Sequence, residues 1–292
     1  MVIIMISVKK SRLKRIIAIV IVAVLIFTLL SGVATKIIYD SIFTRYDGDI
    51  QTVGYSQKHS FCDLTGYLYE GGGEVLVLLA PGFRAEVGDY MGVIEHLTEK
   101  GYGVFAFDPL GHGESGGKSS VGFCREITDI QEAINYVEKR ERFGYNDIVL
   151  LGHSRGGYAV SCTEYADIAA IVSVGGVNSA MDGVVGLSSN YVGPLAYANY
   201  FGLLAYQNLL FGRDTVKLKA DECIQKSNVP TLIIHGKSDD TVPFDKYSIM
   251  AHREDITRGG VEFIEAQGGH VDLLFNEQIL SDIVEFIDRN VA

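Results

Sequence analysis

Short apolar runs alternate with amphipathic stretches along most of the chain, and this alternation limits the folds that it can adopt. The run Glu74–Ala80 has the length and composition of a buried strand, whereas Ile127–Val137 places apolar residues at helical spacing. Strands that alternate with helices are typical of βαβ units, in which helices cover a mostly parallel sheet. The sequence therefore predicts an α/β fold with a mostly parallel sheet flanked by helices.

The same pattern predicts the other elements of this sheet. Two leading strands are expected near Ile50–Ser56 and Leu64–Glu70. Helices are expected at Tyr90–Lys100 and Leu273–Arg289, the first of which ends at Gly101. Later strands are expected at Gly103–Phe107, Asp147–Leu151, Ile168–Val174, Thr231–His235 and Val261–Ala266.

Residues 177–226 interrupt this alternation, because they show no strand pattern and are rich in tyrosine, phenylalanine and leucine. We interpret them as a helical cap inserted over the sheet. Aromatic and leucine side chains in such a segment most often form the core of its own helices. The alternative is that they line an apolar substrate pocket.

The N-terminal region predicts a membrane anchor. Residues 16–35 carry no charge, and at about 1.5 Å per residue they span the ~30 Å hydrocarbon core of a bilayer. Basic residues precede this run, so the positive-inside rule places residues 1–15 in the cytoplasm and the large domain outside. We expect a linker at 36–48 and a domain at 49–292. The alternative is a secretory signal that is cleaved, which would release the domain.

The charge and cysteine pattern excludes some partners. The net charge is −11 and basic residues do not cluster on the domain, which argues against nucleic acid as a partner. The four cysteines are scattered, without the spacing of a metal site. We therefore predict no nucleic acid partner and no metal.

The segment Gly152–Gly157 carries the strongest chemical signal. It fits the pattern G-x-S-x-G, and it follows a predicted strand and precedes a helical stretch. Such a tight turn needs glycines beside the serine and lifts its hydroxyl to a helix N-terminus, where N–H groups favour a developing oxyanion. We predict that Ser154 is a catalytic nucleophile.

A serine hydroxyl needs a general base, and that base needs an acid to orient it. His270 is the best candidate for the base, because it lies in a glycine-rich loop between the last predicted strand and the last helix. Two adjacent carboxylates follow the strand Thr231–His235, and of these Asp239 is our choice for the acid, with Asp240 as the alternative. The chain order Ser, Asp, His is that of enzymes with this kind of turn.

Two backbone N–H groups are candidates for an oxyanion hole. One belongs to Arg155, the residue after the nucleophile, and the other to Phe83 in the loop after Glu74–Ala80. An ordinary turn at the end of the strand is the alternative interpretation of the Phe83 loop.

With these residues assembled, the chain resembles the α/β-hydrolase superfamily, and within it the monoacylglycerol-lipase-like and serine-aminopeptidase-like hydrolases. The resemblance covers about residues 49–292. It implies an eight-stranded sheet, a cap after the sixth strand and no cofactor, and it favours Asp239, which stands four residues before Pro243. The motifs that carry it are Pro81-Gly82-Phe83, Phe107–Ser115, Gly152–Gly157, Gly236–Pro243 and Gly269-His270.

Two residues depart from the pattern of these hydrolases. Pro81 stands where histidine is common, so hydrogen bonding around Gly82 must differ. Arg155 replaces a residue that is usually apolar or glutamine, and with Arg84 it could bring positive charge to a pocket mouth. The preferred interpretation is that the two arginines face solvent or are structurally paired.

The sequence thus predicts a serine hydrolase that cleaves small-molecule carboxylic esters, with an apolar acyl group, through an acyl-enzyme. The nearest alternative is a peptidase or amidase with the same catalytic residues, which an acidic cluster in the cap would favour. The cap holds few acids, such as Asp182. A binding protein that has kept the fold without activity is a third interpretation.

Overall fold

An eight-stranded sheet forms the centre of the protein in the computed structural model, which describes residues 2–48, 51–164 and 166–291. The strand order is β1-β2-β4-β3-β5-β6-β7-β8, and every pair from β4 to β8 is parallel. Strands β1 and β2 join the sheet in antiparallel fashion. The predicted α/β fold with a mostly parallel sheet is confirmed. The strands are β1 (Gln57–Phe61), β2 (Leu64–Tyr69), β3 (Val75–Ala80), β4 (Gly103–Asp108), β5 (Asp147–His153), β6 (Ile168–Val174), β7 (Thr231–Gly236) and β8 (Val261–Ala266).

Helices cover the sheet on both faces. One face packs against α3 (Phe123–Lys139) and α4 (Arg155–Cys162), and the other packs against α2 (Met91–Glu99) and α10 (Glu277–Asn290). In α3 the buried residues Ile130, Ala133, Ile134 and Val137 recur at helical spacing, which explains why this segment forms an amphipathic helix. Each face therefore has its own apolar core, and the sheet separates the two cores.

The prediction of the first strand is wrong. Residues 51–56 contain no strand, and β1 begins at Gln57 instead. The burial of β1 alternates only at its end, because it is the edge strand and most of its residues face solvent. Ile50, where the prediction began, lies outside the described residues, as do Met1, Asp49, Tyr165 and Ala292.

The cap lies between β6 and β7, at residues 177–226. It is built from five helices, of which α5 and α7 are the longest. Their bounds are α5 (Ala180–Val192), α6 (Leu195–Ala198), α7 (Tyr200–Phe211), α8 (Arg213–Val216) and α9 (Ala220–Lys226). Ser179 caps α5 by accepting a hydrogen bond from the Asp182 N–H.

The first helix, α1 (Val2–Ile42), is one continuous element. Its part from Arg12 to Ile42 is long and apolar enough to cross a membrane, and its most apolar window is not buried against the protein. Residues 36–42, which the sequence analysis assigns to a linker, continue this helix. Thr35, Tyr39 and Ile42 are buried and lie three to four residues apart, so one stripe of the helix packs onto the domain.

Candidate active site

Ser154 occupies a sharp turn between β5 and α4. Its backbone has φ +56° and ψ −115°, in the left-handed half of conformational space that residues with a Cβ rarely adopt. The flanking glycines are required by close backbone approach. A Cβ on Gly152 would lie 2.4 Å from the Gly156 carbonyl oxygen, and one on Gly156 would lie 2.2 Å from the Ala80 carbonyl oxygen.

His270 and Asp239 form a close pair. The Nδ1 atom of His270 lies 2.6 Å from Oδ2 of Asp239, and both side chains are almost completely buried. The same carboxylate oxygen is 3.1 Å from Nε2 of His235, the penultimate residue of β7. The loop after β7 and the loop after β8 therefore meet at this pair, as adjacent parallel strands require.

The Asp239 carboxylate is held in its ionised form. Burial opposes ionisation, but hydrogen bonds with His235 and His270 outweigh it, and the pKa of Asp239 falls well below its usual range. The N–H groups of Thr241 and Val242 donate to its other oxygen, Oδ1, at 3.0 and 2.8 Å. Asp240, the alternative acid, is exposed on the cavity wall, and the structure brings Asp239 rather than Asp240 to His270.

The two predicted oxyanion donors lie beside Ser154. Arg155 is the first residue of α4, so its N–H has no acceptor within the helix. Phe83 lines the cavity next to Gly82, where a Cβ would lie 3.2 Å from the Ser154 Cβ. The loop after β3 therefore passes very close to the serine.

A buried hydrogen-bond chain joins the Gly82 loop to the His270 loop, and sequence reasoning missed it. The Gly82 N–H donates to the Tyr90 hydroxyl at 2.7 Å, and that hydroxyl lies 3.0 Å from Nδ1 of His153. The Nε2 atom of His153 lies 3.1 Å from the His270 carbonyl oxygen. Burial lowers the pKa of His153 to about 3, so the ring is neutral, accepts from Tyr90 and donates to His270. These hydrogen bonds show how the Gly82 loop is held in a protein that has Pro81 where related hydrolases commonly have histidine.

A cavity of about 470 Å³ opens above Ser154 and His270. Much of its wall is apolar, and the cap contributes part of it through α5 and α6. The apolar wall includes Phe83, Phe123, Val177, Leu187, Val242 and Leu274. Polar and charged side chains also line it, namely Arg84, Asp89, Asp182, Asn190, Asp240 and Lys246.

The two arginines near the site have different environments. Arg155 is 1% exposed and its Nη2 atom lies 2.7 Å from the Glu126 carboxylate, which is equally buried. Burial raises the pKa of Glu126 to about 8, although the positive charge of Arg155 opposes this rise. Arg155 therefore serves structural pairing, as preferred from the sequence, whereas Arg84 is exposed at the cavity wall.

One group of side chains among the described residues has the spacing of metal ligands. Asp221, His252 and Asp255 place their ligand atoms within 4.8 Å of one another, and none of them lines the cavity. The Nδ1 atom of His252 is 3.8 and 3.5 Å from carboxylate oxygens of the two aspartates. The His252 ring thus lies between the two carboxylates.

Solved structures with the same architecture identify the fold. The esterase Pf2001 of Pyrococcus furiosus superposes with a TM-score of 0.66 at 20% identity, over 86% of this chain and all of that one. Est1E from Butyrivibrio proteoclasticus gives 0.56 at 20% identity over 80% and 100%, and the monoacylglycerol lipase of Paleococcus ferrophilus gives 0.57 at 20% over 79% and 100%. The protein has the α/β-hydrolase fold. Its eight-stranded, mostly parallel sheet agrees with the sheet that the sequence resemblance implies.

Sequence comparisons agree with this fold over part of the chain. Residues 74–185 match the family described as serine aminopeptidase, S33 (Hydrolase_4). The uncharacterized protein YfhR of Escherichia coli O157:H7 is 27% identical over 171 residues, which are 58% of this chain. The alignment spans 54% of the length of YfhR. The matched family segment contains Ser154 and both predicted oxyanion donors.

Proposed function

We propose that the protein is a serine hydrolase that cleaves carboxylic esters through an acyl-enzyme. The observation that carries the proposal is the meeting of two features in one cavity. Ser154 is held in a left-handed turn at the N-terminus of α4, and His270 is paired with an ionised Asp239. A hydroxyl, a base and an orienting carboxylate are the groups that acyl transfer requires.

The residues have distinct roles in this mechanism. Asp239 engages Nδ1 of His270, which leaves Nε2 of that ring to take the proton from Ser154 as its Oγ attacks the carbonyl carbon. The N–H groups of Phe83 and Arg155 stabilise the resulting oxyanion. His270 then gives its proton to the departing alcohol, and water repeats the sequence to release the acid.

The cavity wall favours an ester with an apolar acyl group. Aromatic and aliphatic side chains from the sheet loops and the cap surround the space above Ser154. An esterase and a monoacylglycerol lipase are among the proteins that share the fold. For the acyl group we therefore propose an aliphatic or aromatic chain.

We also propose that α1 anchors the enzyme in a membrane with the domain on the extracytoplasmic side. The uncharged run at 16–35 and the basic residues before it support this orientation. Release of the domain after cleavage of a signal is the alternative.

A peptidase is the second candidate, because the matching family is described as serine aminopeptidase. An aminopeptidase needs an acid that is free to bind the substrate amine. Asp182 lines the cavity, but its carboxylate accepts a hydrogen bond from the Ser179 hydroxyl at 2.6 Å. Asp89 and Asp240 are the other acids on the wall. Of these three acids only Asp182 comes from the cap, so the cap does not offer the acidic cluster that would favour an amine-bearing peptide.

The test uses the full chain in detergent, with a series of p-nitrophenyl esters of increasing acyl length and matched aminoacyl p-nitroanilides. We expect ester hydrolysis that Ser154→Ala reduces by about 10⁶ in kcat. Faster turnover of the anilides would favour the peptidase, and turnover of neither series by folded protein would favour a binding protein.

A further inference from the structure

The cap carries an unusually apolar exposed surface. Residues 183–212 contain no charged side chain, although they form much of the outer part of the cap. Five exposed residues from the end of α5 to the start of α7 form what we call the cap lip. They are Tyr191, Leu195, Tyr197, Tyr200 and Phe201, of which Leu195 is 68% and Phe201 80% exposed.

Specific hydrogen bonds join the cap to α1. The Asn199 side-chain amide donates to the Thr35 hydroxyl at 2.7 Å. Seven residues further along, the Tyr206 hydroxyl donates to Asp40 at 3.1 Å. Gly202 allows the close approach, since a Cβ there would lie 3.1 Å from the Thr35 Oγ1 atom. The cap and α1 are therefore joined as one unit.

These contacts also give the direction of α7. Asn199, directly before α7, contacts Thr35 of α1, and Tyr206, later in α7, contacts Asp40 of α1. Both residue numbers increase together, so the two helices run in the same direction. The N-terminal end of α7 therefore points back along α1 toward the apolar run that ends at Thr35. The lip lies at this end. Leu209 lies about 12 Å farther along the axis of α7 than Phe201.

The lip stands at the level where the uncharged run of α1 ends. Lys36 is the first charged residue after that run, and it pairs with Asp40 on the exposed face of the helix. If α1 spans a bilayer, Thr35 and its partner Asn199 lie at the boundary between hydrocarbon and headgroups. Tyrosine and phenylalanine side chains are favoured at that depth.

The lip also borders the cavity. Tyr197 belongs to both, and Ser189 and Asn190 at the end of α5 line the cavity just before the lip begins. An apolar group that enters over the lip therefore meets Tyr197 at the edge of the cavity, where the Lys246 ammonium lies 3.4 Å from the Tyr197 hydroxyl.

We propose that the cap lip inserts into the interface of the bilayer that α1 spans, and that the cavity receives its substrate from that bilayer. The partner is thus a lipid surface, and the substrate is an acyl ester resident in it. The first half of this proposal rests on the proposed membrane anchor, and the second half rests also on the proposed ester hydrolase function.

The test of insertion exploits the absence of tryptophan from the chain. Phe201→Trp places a single fluorophore in the lip, and Leu209→Trp places a matched one at a residue that is 79% exposed but distant from the lip. Each full-length variant is reconstituted in phosphatidylcholine vesicles with brominated or ordinary acyl chains. We expect brominated lipid to quench Phe201→Trp strongly and Leu209→Trp weakly, with acrylamide in the water giving the reverse order.

Equal quenching of the two variants by brominated lipid, or free access of acrylamide to Phe201→Trp, would overturn insertion. The result does not depend on catalysis, because the same measurement can be made with Ser154→Ala in the background. Failure of the hydrolase proposal and failure of insertion are therefore distinguishable.

A kinetic comparison tests the supply of substrate. In the double variant Leu195→Asp, Phe201→Asp we expect the hydrolysis of a long-chain ester embedded in vesicles to fall by about tenfold or more. Hydrolysis of a short water-soluble ester should be unchanged, since neither residue lines the cavity. Equal rates with the embedded ester, or an equal loss with both esters, would contradict entry over the lip.

Discussion

Ser154 is held in a backbone conformation that costs of the order of 1–3 kcal/mol for a residue with a side chain. Two backbone hydrogen bonds fix it there. The Ser154 N–H donates to the Val174 carbonyl at 2.8 Å, and its own carbonyl accepts from the Tyr158 N–H at 3.1 Å. The neighbouring strand β6 and the first turn of α4 thus impose the strained turn. Ser154 therefore lines the cavity in a fixed backbone conformation.

The carboxylates at 239 and 240 provide a matched pair of variants. Asp239→Asn removes the acceptor that fixes the tautomer of His270, so kcat should fall by about 10⁴, as in other enzymes of this type. Asp240→Asn changes an exposed carboxylate on the cavity wall and should alter kcat by less than about tenfold. Steady-state kinetics on one ester checks both. A larger loss for Asp240→Asn than for Asp239→Asn would contradict the assignment.

The hydroxyl of Tyr90 is predicted to position the oxyanion loop. Tyr90→Phe leaves the Gly82 N–H and His153 without their partner in a buried place, which should cost about 1–3 kcal/mol of unfolding free energy. We expect kcat to fall while KM changes little, because the loop donor acts on the transition state.

A second buried tyrosine supplies the control for Tyr90→Phe. The Tyr69 hydroxyl contacts only the sulfur of Met91, at 3.6 Å, among the hydrogen bonds of the described residues. Tyr69→Phe should therefore leave kcat unchanged. If both variants lose kcat equally, or neither does, Tyr90 does not act through the Gly82 loop.

Only part of the site can be predicted from the sequence. Ser154 and His270 stand in glycine-rich motifs whose spacing indicates their chemistry. Tyr90 and His153 give no such signal, because a tyrosine at the start of a helix and a histidine beside a serine are read as packing residues. Their role depends on three loops that meet only in the folded protein. A search for polar side chains next to the Pro81-Gly82 departure could have found Tyr90.

At the scale of elements, the sheet is easier to predict than its ends. Strands such as β3 and β5 are buried on both faces, so continuous apolar runs identify them. The edge strand β1 has the sequence QKHSF and lacks this signal.

The end of α1 is missed for another reason. Lys36 and Asp40 resemble linker residues, but they lie on the exposed face of a helix whose other face is buried.

The end of α1 should be part of the folded domain. Phe43 is fully buried directly after the helix, with its ring centroid 5.4 Å from that of Phe83 and 6.1 Å from that of Phe123. A chain that begins at residue 36 retains Tyr39, Ile42 and Phe43, whereas one that begins at residue 44 loses them. Burial of three such side chains contributes roughly 5–9 kcal/mol. We therefore expect the shorter chain to be much less stable.

Chemical unfolding of the two truncated chains measures this difference directly. The activity of the longer chain on a soluble ester is the control, because it shows that the domain folds without residues 1–35. Equal unfolding free energies for both chains would show that α1 is merely a tether.

At the scale of the whole molecule, buried histidines couple stability to pH. Burial lowers the pKa of His112 and of His153 to about 3, whereas an unfolded histidine titrates near 6.5. Between these values the unfolded chain binds protons that the folded chain does not, so both residues make stability fall as the pH falls from about 6.5. Glu126, with a raised pKa, binds a proton in the folded state and offsets part of this loss.

The variant His112→Asn isolates one of these contributions. It keeps a donor near the Leu110 carbonyl, which Nδ1 of His112 approaches at 3.1 Å, and it removes the titration. We expect the unfolding free energy to depend less steeply on pH than in the wild type, by about 1.4 kcal/mol per unit between pH 6 and 4.5. Urea unfolding of both proteins across this range checks the difference, and parallel curves would contradict it.

The central claim is that Ser154 is an activated nucleophile, and covalent labelling tests it most directly. The full chain in detergent is treated with a fluorophosphonate, and the adduct is mapped by peptide mass. The account predicts one adduct on Ser154, no adduct in Ser154→Ala and a much slower reaction in His270→Ala. A folded wild type that stays unlabelled, or that is labelled as fast in His270→Ala, would contradict it.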